Sequence, residues 1–130
     1  METTSSLEDS RMAPADTAVP NDSSPILEVS DLSKRYSGLV ALSGYELRLA
    51  PRSIHGVIGP NGAGKTTLFN LLSGMVRPTT GTIRLLGTDI TELPAHAVAR
   101  AGIARTFQNI RLFGDMSALD NVRVAVQQRL

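Results

Sequence analysis

The residues best placed to do chemistry lie together in Gly59-Pro60-Asn61-Gly62-Ala63-Gly64-Lys65-Thr66, which fills every position of the pattern G-x-x-x-x-G-K-[ST]. That chemistry is the gripping of a nucleotide's phosphates. Gly59, Gly62 and Gly64 allow positive φ and let backbone N–H groups converge on phosphate oxygens without Cβ obstruction, and a helix starting near Lys65 would point its positive dipole end at them. The Lys65 ammonium supplies a point charge for the β and γ phosphates, and the Thr66 hydroxyl is a ligand for the Mg²⁺ that bridges them. Thr67 adds a hydroxyl nearer the α phosphate. The candidate nucleotide contacts are therefore Gly59, Asn61, Gly62, Ala63, Gly64, Lys65, Thr66 and Thr67. A Gly-rich turn with no ligand would not call for Lys-Thr at those places.

Such a loop needs a strand before it and a helix after it. Ile54-His55-Gly56-Val57-Ile58 reads as a buried strand, and Leu68, Leu71 and Leu72 recur at helical spacing. Upstream, Ile26-Leu27-Glu28-Val29 reads as a strand, Asp31 to Gly38 as a turn region, and Tyr45-Glu46-Leu47-Arg48-Leu49 alternates as a half-buried strand does. Ala50-Pro51-Arg52-Ser53 turns the chain into Ile54. These strand pairs predict a small antiparallel sheet beside the nucleotide core. Downstream, Gly74 stands as a helix C′ residue, Pro78-Thr79-Thr80-Gly81 reads as a turn, and Thr82 to Leu86 as a strand broken by Gly87 before Asp89-Ile90. Thr91 is placed to cap a helix over Pro94 to Ala101, which Gly102 ends. Ile103 to Phe107 reads as a second core strand. Ser117-Ala118-Leu119-Asp120 has the spacing of a capping box, with Asp in place of Glu, and opens an amphipathic helix through Leu119, Val122, Val126 and Leu130.

Composition sets outer limits. The chain has 130 residues, 42% of them hydrophobic, enough for one small core. Met1 to Pro25 is rich in Ser, Thr, Asp and Pro and carries Glu2, Glu8, Asp9, Asp16 and Asp22 against Arg11, which predicts a disordered acidic extension. The domain expected over residues 26–130 is mildly basic, with 12 Lys and Arg against 7 Asp and Glu. An overall formal charge of +1 makes no electrostatic case for a nucleic-acid partner. There is no cysteine, hence no disulfide or thiolate metal site, and no apolar run long enough to span a bilayer. His55 and His96 have no partner ligand at metal spacing and read as structural.

Beyond the phosphate loop itself, Gly59 to Leu68 closely resembles the loop of ATP-binding-cassette (ABC) ATPases, and the resemblance runs over about residues 26–130. It implies an α/β fold: a phosphate-loop NTPase core of the ABC type with a small antiparallel β subdomain, here truncated. Tyr36, within Leu32-Ser33-Lys34-Arg35-Tyr36, matches the family's aromatic that stacks on adenine. Leu85-Leu86-Gly87-Thr88-Asp89-Ile90 is similar to the family's short hairpin. Gln108, 43 residues beyond Lys65, matches the glutamine that meets Mg²⁺ and the attacking water, so the resemblance makes Lys65 and Gln108 catalytic and Thr66 and Gln108 metal-contacting. More narrowly, Gly102-Ile103-Ala104-Arg105-Thr106-Phe107-Gln108, with Arg111-Leu112-Phe113 and Leu119-Asp120-Asn121-Val122, resembles the ATPase subunit of branched-chain amino acid importers. That likeness implies ATP and Mg²⁺ as ligands and membrane permease subunits and a second ATPase subunit as partners. It also implies a cytoplasmic location on the inner face of the membrane, with Asn109 to Met116 facing the permease.

Four features the family uses for hydrolysis are missing: a Mg²⁺ carboxylate ending an apolar run, a glutamate after an aspartate, a γ-phosphate histidine, and a Leu-Ser-Gly-Gly signature. Leu42-Ser43-Gly44-Tyr45 and Leu72-Ser73-Gly74-Met75 approach the last and fail it. The resemblance thus implies the N-terminal part of a longer ATPase, inactive alone, with a gap in the sheet between the strands ending at Ile58 and near Phe107. Three other readings compete: a soluble cassette ATPase serving translation, DNA repair or cluster assembly; a small phosphate-loop kinase or GTPase, though no Asn-Lys-x-Asp motif is present; and a nucleotide binder without turnover.

Overall fold

A computed structural model of the protein describes residues 24–109 and 111–127. Residues 1–23, which make up nearly all of the expected acidic extension, lie outside the described residues, as does Leu130 of the expected C-terminal helix.

Two long strands, β1 (Leu27–Tyr36) and β2 (Leu39–Leu49), form the first hairpin. Both outrun the sequence reading, and the expected turn over Asp31 to Gly38 shrinks to Ser37-Gly38. Asp31 is a bulge rather than a turn. It sits at φ 48°, the β1–β2 register shifts between Val29 and Leu32, and the inward side chains pass from Leu27 and Val29 to Leu32 instead of Asp31. Side chains answer the backbone donors there: the Asp31 N–H donates to Glu46 Oε1 (2.6 Å) and the Gly44 N–H to Ser33 Oγ (2.8 Å). At the tip, Ser37 (φ 39°) and Gly38 (φ 91°) both take positive φ, as a two-residue type I′ connection requires.

β3 (Thr80–Leu85) runs antiparallel to β1 on its other side and turns through Leu86 (φ 50°) and Gly87 (φ 79°) into the two-residue β4 (Thr88–Asp89). The sheet order is β2-β1-β3-β4. Thr80 and Gly81, read as turn from sequence, belong to β3 because β1 extends far enough for Ser33 to pair with Thr80.

Helix α1 (Lys65–Leu72) follows the phosphate loop and buries Leu68 and Leu71 on one side. With Leu27, Val29 and Leu32 of β1, Ile83 of β3, Ile90 and Val98 they form the core. At its end the Gly74 N–H donates to Leu71 O and the Met75 N–H to Asn70 O, a Schellman motif with Gly74 at C′ as expected. Only glycine fits that place: its φ is 68°, and an added Cβ would lie 2.9 Å from Val98 Cγ2. Val98 belongs to α2 (Ala95–Ala101), whose N-cap is Pro94. Thr91 does not cap α2. Its hydroxyl instead accepts from the Ile83 N–H (2.8 Å) and donates to Asp89 Oδ1 (2.6 Å), because β4 ends beside it. Gly102 ends α2 as expected.

α3 (Ala118–Gln127) opens on the expected box: Ser117 Oγ accepts from the Asp120 N–H (3.2 Å) and donates to Asp120 Oδ2 (2.7 Å). Its apolar residues Leu119, Val122 and Val126 are exposed.

Two expected strands are absent as strands. Ile54 to Ile58 and Ile103 to Phe107 run without ladder pairing, and Ile54 and Ile58 are 102% and 98% exposed. Among the described residues no strand pairs with either segment, and an extended segment without a paired neighbour has no ladder to join. A largely apolar cavity of about 680 Å³ opens between the sheet, α1 and residues 102–108.

Candidate functional site

Gly64 is the N-cap of α1, at φ 92° with no side-chain cap, so the amides of Lys65, Thr66 and Thr67 have no acceptor within the helix. They stand free for an anion, and the helix dipole favours one there. A Cβ on Gly64 would sit 2.5 Å from the Ala41 carbonyl oxygen, so the loop presses directly onto β2. Gly62 also takes positive φ (86°). Gly59 does not. Its place is explained by crowding, since an added Cβ would lie 3.1 Å from that of Ala63. The Ala63 N–H is engaged inside the loop, donating to Pro60 O (3.1 Å).

The Lys65 ammonium bends back over the loop and donates to the carbonyls of Gly59 and Pro60, the latter at 3.0 Å. Around it a concavity of about 440 Å³ is lined by Leu39, Val40 and Ala41 of β2 and by Asn61, Gly62, Gly64, Lys65, Thr66 and Thr67. Six of the eight expected loop contacts line this concavity, Gly59 and Ala63 do not, and the strand wall was not foreseen.

Tyr36 ends β1 and pairs across the turn with Leu39, which lines the same concavity. The ring is 42% exposed, and the Lys34 ammonium stands 5.0 Å from its centroid while donating to Arg77 O (2.7 Å). One face thus carries a cation–π contact, a role for Lys34 that the sequence did not reveal.

Gln108 is elsewhere. It is exposed and lines the 680 Å³ cavity with Phe69, Leu72 and Phe107, so the structure does not bring it to the phosphate concavity. Sequence reasoning also missed Arg105, whose Nη1 donates to Asn70 Oδ1 (2.6 Å) and Ser73 Oγ (3.3 Å) while its guanidinium lies 5.0 Å from the Phe107 ring centroid. The two partners stand 35 and 32 residues away, beyond any local pattern. His55 and His96 are exposed and fill no core position, and among the described residues no group of three His, Cys, Asp or Glu could hold a metal.

For Mg²⁺ the side-chain donors lining the concavity are oxygens, as that ion requires, namely the Thr66 and Thr67 hydroxyls and the Asn61 amide, and no carboxylate accompanies them. The residues fit a magnesium ion carried in with a nucleotide's phosphates, rather than one held by the protein alone.

The fold and site together define an α/β phosphate-loop protein with an antiparallel sheet laid beside the loop. The family model described as "ABC transporter" matches residues 42–130, and the chain belongs to that family. Among curated relatives it is similar to the high-affinity branched-chain amino acid transport ATP-binding protein BraF of Pseudomonas aeruginosa, with 52% identity over 108 residues, 83% of this chain and 42% of that protein. LivG of Escherichia coli, a transport ATP-binding protein of the same description, is 47% identical over the same shares. The chain thus spans about two fifths of the length of these relatives. Among solved structures it is similar to the ADP conformation of MJ1267, an ATP-binding cassette of an ABC transporter, at a TM-score of 0.64 with 27% identity, covering 77% of this chain and 45% of that one.

Proposed function

We propose that this chain forms the nucleotide-holding part of an ABC importer ATPase that drives uptake of branched-chain or other hydrophobic amino acids. The observation that carries the reading is the start of α1, without a side-chain cap, where three amides without helical acceptors, a lysine ammonium and two positive-φ glycines surround one concavity. Likeness to BraF and LivG supports the substrate class. Their description as transport ATP-binding proteins also supports membrane permease subunits as partners and a place on the cytoplasmic face, and among the described residues no helix is long and apolar enough to cross a membrane.

Each residue then has a task. Lys65 exchanges its contacts to Gly59 and Pro60 for the β and γ phosphates, so the carbonyls hold the ammonium ready until an anion takes it. The amides at the start of α1 orient the phosphates, and the Thr66 hydroxyl is the side chain that would hold the metal. Magnesium, when bound, would neutralise charge on the β and γ oxygens. Tyr36 offers its free face to the base. The sequence contains no Leu-Ser-Gly-Gly signature and brings no carboxylate to the loop, so binding without turnover is expected of this chain alone, with hydrolysis completed by further cassette residues and a second ATPase subunit.

Titration calorimetry with MgATP tests this. A charge-assisted hydrogen bond contributes about 1.5–3 kcal/mol, so Lys65→Ala should weaken binding roughly ten- to a hundredfold. Equal affinity for the two proteins would remove the reading.

A further inference from the structure

Arg105 joins two parts of the molecule that are otherwise barely connected. Beyond the Ile103 N–H, which donates to Val98 O (3.3 Å), no backbone hydrogen bond among the described residues holds Ala104 to Asn109. The Arg105 guanidinium supplies what the backbone does not. It bonds Asn70 in the last turn of α1 and Ser73 at its C-cap, and it stacks on Phe107, one residue before Gln108.

The charge on α1 explains why a cation belongs there. The helix has no acidic residue in its first turn and no basic one in its last, so its own sequence leaves both ends of the dipole unanswered. Arg105 brings a positive charge to the C-terminal end from outside the helix. Under the function proposed above, the nucleotide's phosphates bring negative charge to the other end. The two act on one eight-residue helix and stabilise it in the same sense.

We infer that Arg105 is a positioning residue that transmits occupancy of the phosphate loop, through α1, to the segment bearing Gln108. The inference rests on the nucleotide-binding reading. Phosphate bound at Gly64 to Thr67 firms the helix, the firmer helix holds Asn70 and Ser73 in place, and their bonds to the guanidinium order residues 104–108. Asn70 and Ser73 are suited to this because the surrounding Schellman turn, with Met75 N–H on Asn70 O (2.9 Å), fixes the backbone that carries them. Lysine cannot replace arginine fully, since one nitrogen serves both oxygens but the contact with the Phe107 ring uses the planar guanidinium.

The test is amide hydrogen exchange on the full chain, with and without MgATP, read by peptide over residues 59–67 and 103–108. In the unaltered protein MgATP should slow exchange in both regions, about tenfold in the second. Arg105→Ala should keep the slowing at 59–67 and reduce that at 103–108 to less than about twofold, with ATP affinity within about threefold. Arg105→Lys should recover part of it, and Asn70→Ala, which removes the same bond from the helix side, should reproduce the loss if Arg105→Ala does not fold. Full ATP-dependent slowing at 103–108 in the folded Arg105→Ala protein, or in Asn70→Ala, would overturn the inference and leave the nucleotide reading intact. No slowing at 59–67 in the unaltered protein would overturn both.

Discussion

The antiparallel sheet and the two segments flanking it are built from similar apolar sequence and end in opposite conditions. Ile83 in β3 is 1% exposed and pairs with Val29, whereas Ile54 and Ile58 stand fully open to solvent and pair with nothing. Each strand of the sheet has a neighbour within reach of the described chain, and its two hairpins close through two-residue turns at Ser37-Gly38 and Leu86-Gly87. A core strand of a parallel sheet depends instead on neighbours delivered by long crossovers. Strand character is therefore a relation between segments, and the residues of one segment supply only half of it.

Substitutions can break that contrast or sharpen it. Leu32 is fully buried at the β1 bulge, so Leu32→Ala should cost about 2–5 kcal/mol, a large share of the stability of so small a domain, and urea denaturation should show a collapsed midpoint. Ile58→Ala should change the same midpoint by less than about 0.5 kcal/mol, and a loss near that of Leu32→Ala would show that the segment is packed after all. The contrast extends to ligand binding. Tyr36 is held by the hairpin beside the concavity, and Tyr36→Ala should lose about 1–3 kcal/mol of ATP affinity in calorimetry. Gln108→Ala, on the segment without ladder bonds, should leave that affinity unchanged. Within the sheet, Leu86 is a non-glycine residue at φ 50°, exposed at a turn position that prefers Asn, and Leu86→Asn should raise thermal stability by about 1 kcal/mol.

The smallest expected effect concerns acid. Hydrogen bonds from the Thr91 hydroxyl and then its amide hold the Asp89 carboxyl below the usual carboxylate range. A depressed folded value means the stabilisation is present above the ordinary carboxylate pKa and is lost as pH falls through the folded one. Wild type should thus exceed Asp89→Asn slightly in midpoint at pH 7, with the gap closing in acid, and a gap independent of pH would rule out the carboxylate as its source.

The shape of the phosphate loop was legible because it is local: Gly62 and Gly64 take positive φ and α1 begins at Lys65, all within eight positions of one another. The antiparallel sheet was legible in outline, but the lengths of β1 and β2 were not, since a bulge at Asp31 sustains pairing through residues whose types favour a turn. Thr91 was misjudged because its hydroxyl had two possible uses, and the partner at Ile83 became available only once β3 and β4 were paired. Arg105 left no trace in sequence, because Asn70 and Ser73 are ordinary helix-end residues until the chain returns to them. The strand reading at Ile54 to Ile58 rested on periodicity alone, which registers an apolar run but not whether anything lies beside it.

The order of the sheet has a consequence for folding in time. Strands β1 and β2 are joined by a tight turn and can zip within microseconds, whereas the partners of β1 and β3 lie 47 to 58 residues apart along the chain. Everything between them, including the phosphate loop and all of α1, is a loop whose ends must be brought together before the second pairing contributes anything. The first hairpin is therefore the early structure and β3 the late arrival. Ala41, the strand residue against which Gly64 presses, is in place before that closure, while Leu68 and Leu71 gain the Ile83 side of their core only after it. The anion cradle thus matures at the end of folding, and nascent chains that have made only the hairpin have no preformed place to hold a nucleotide.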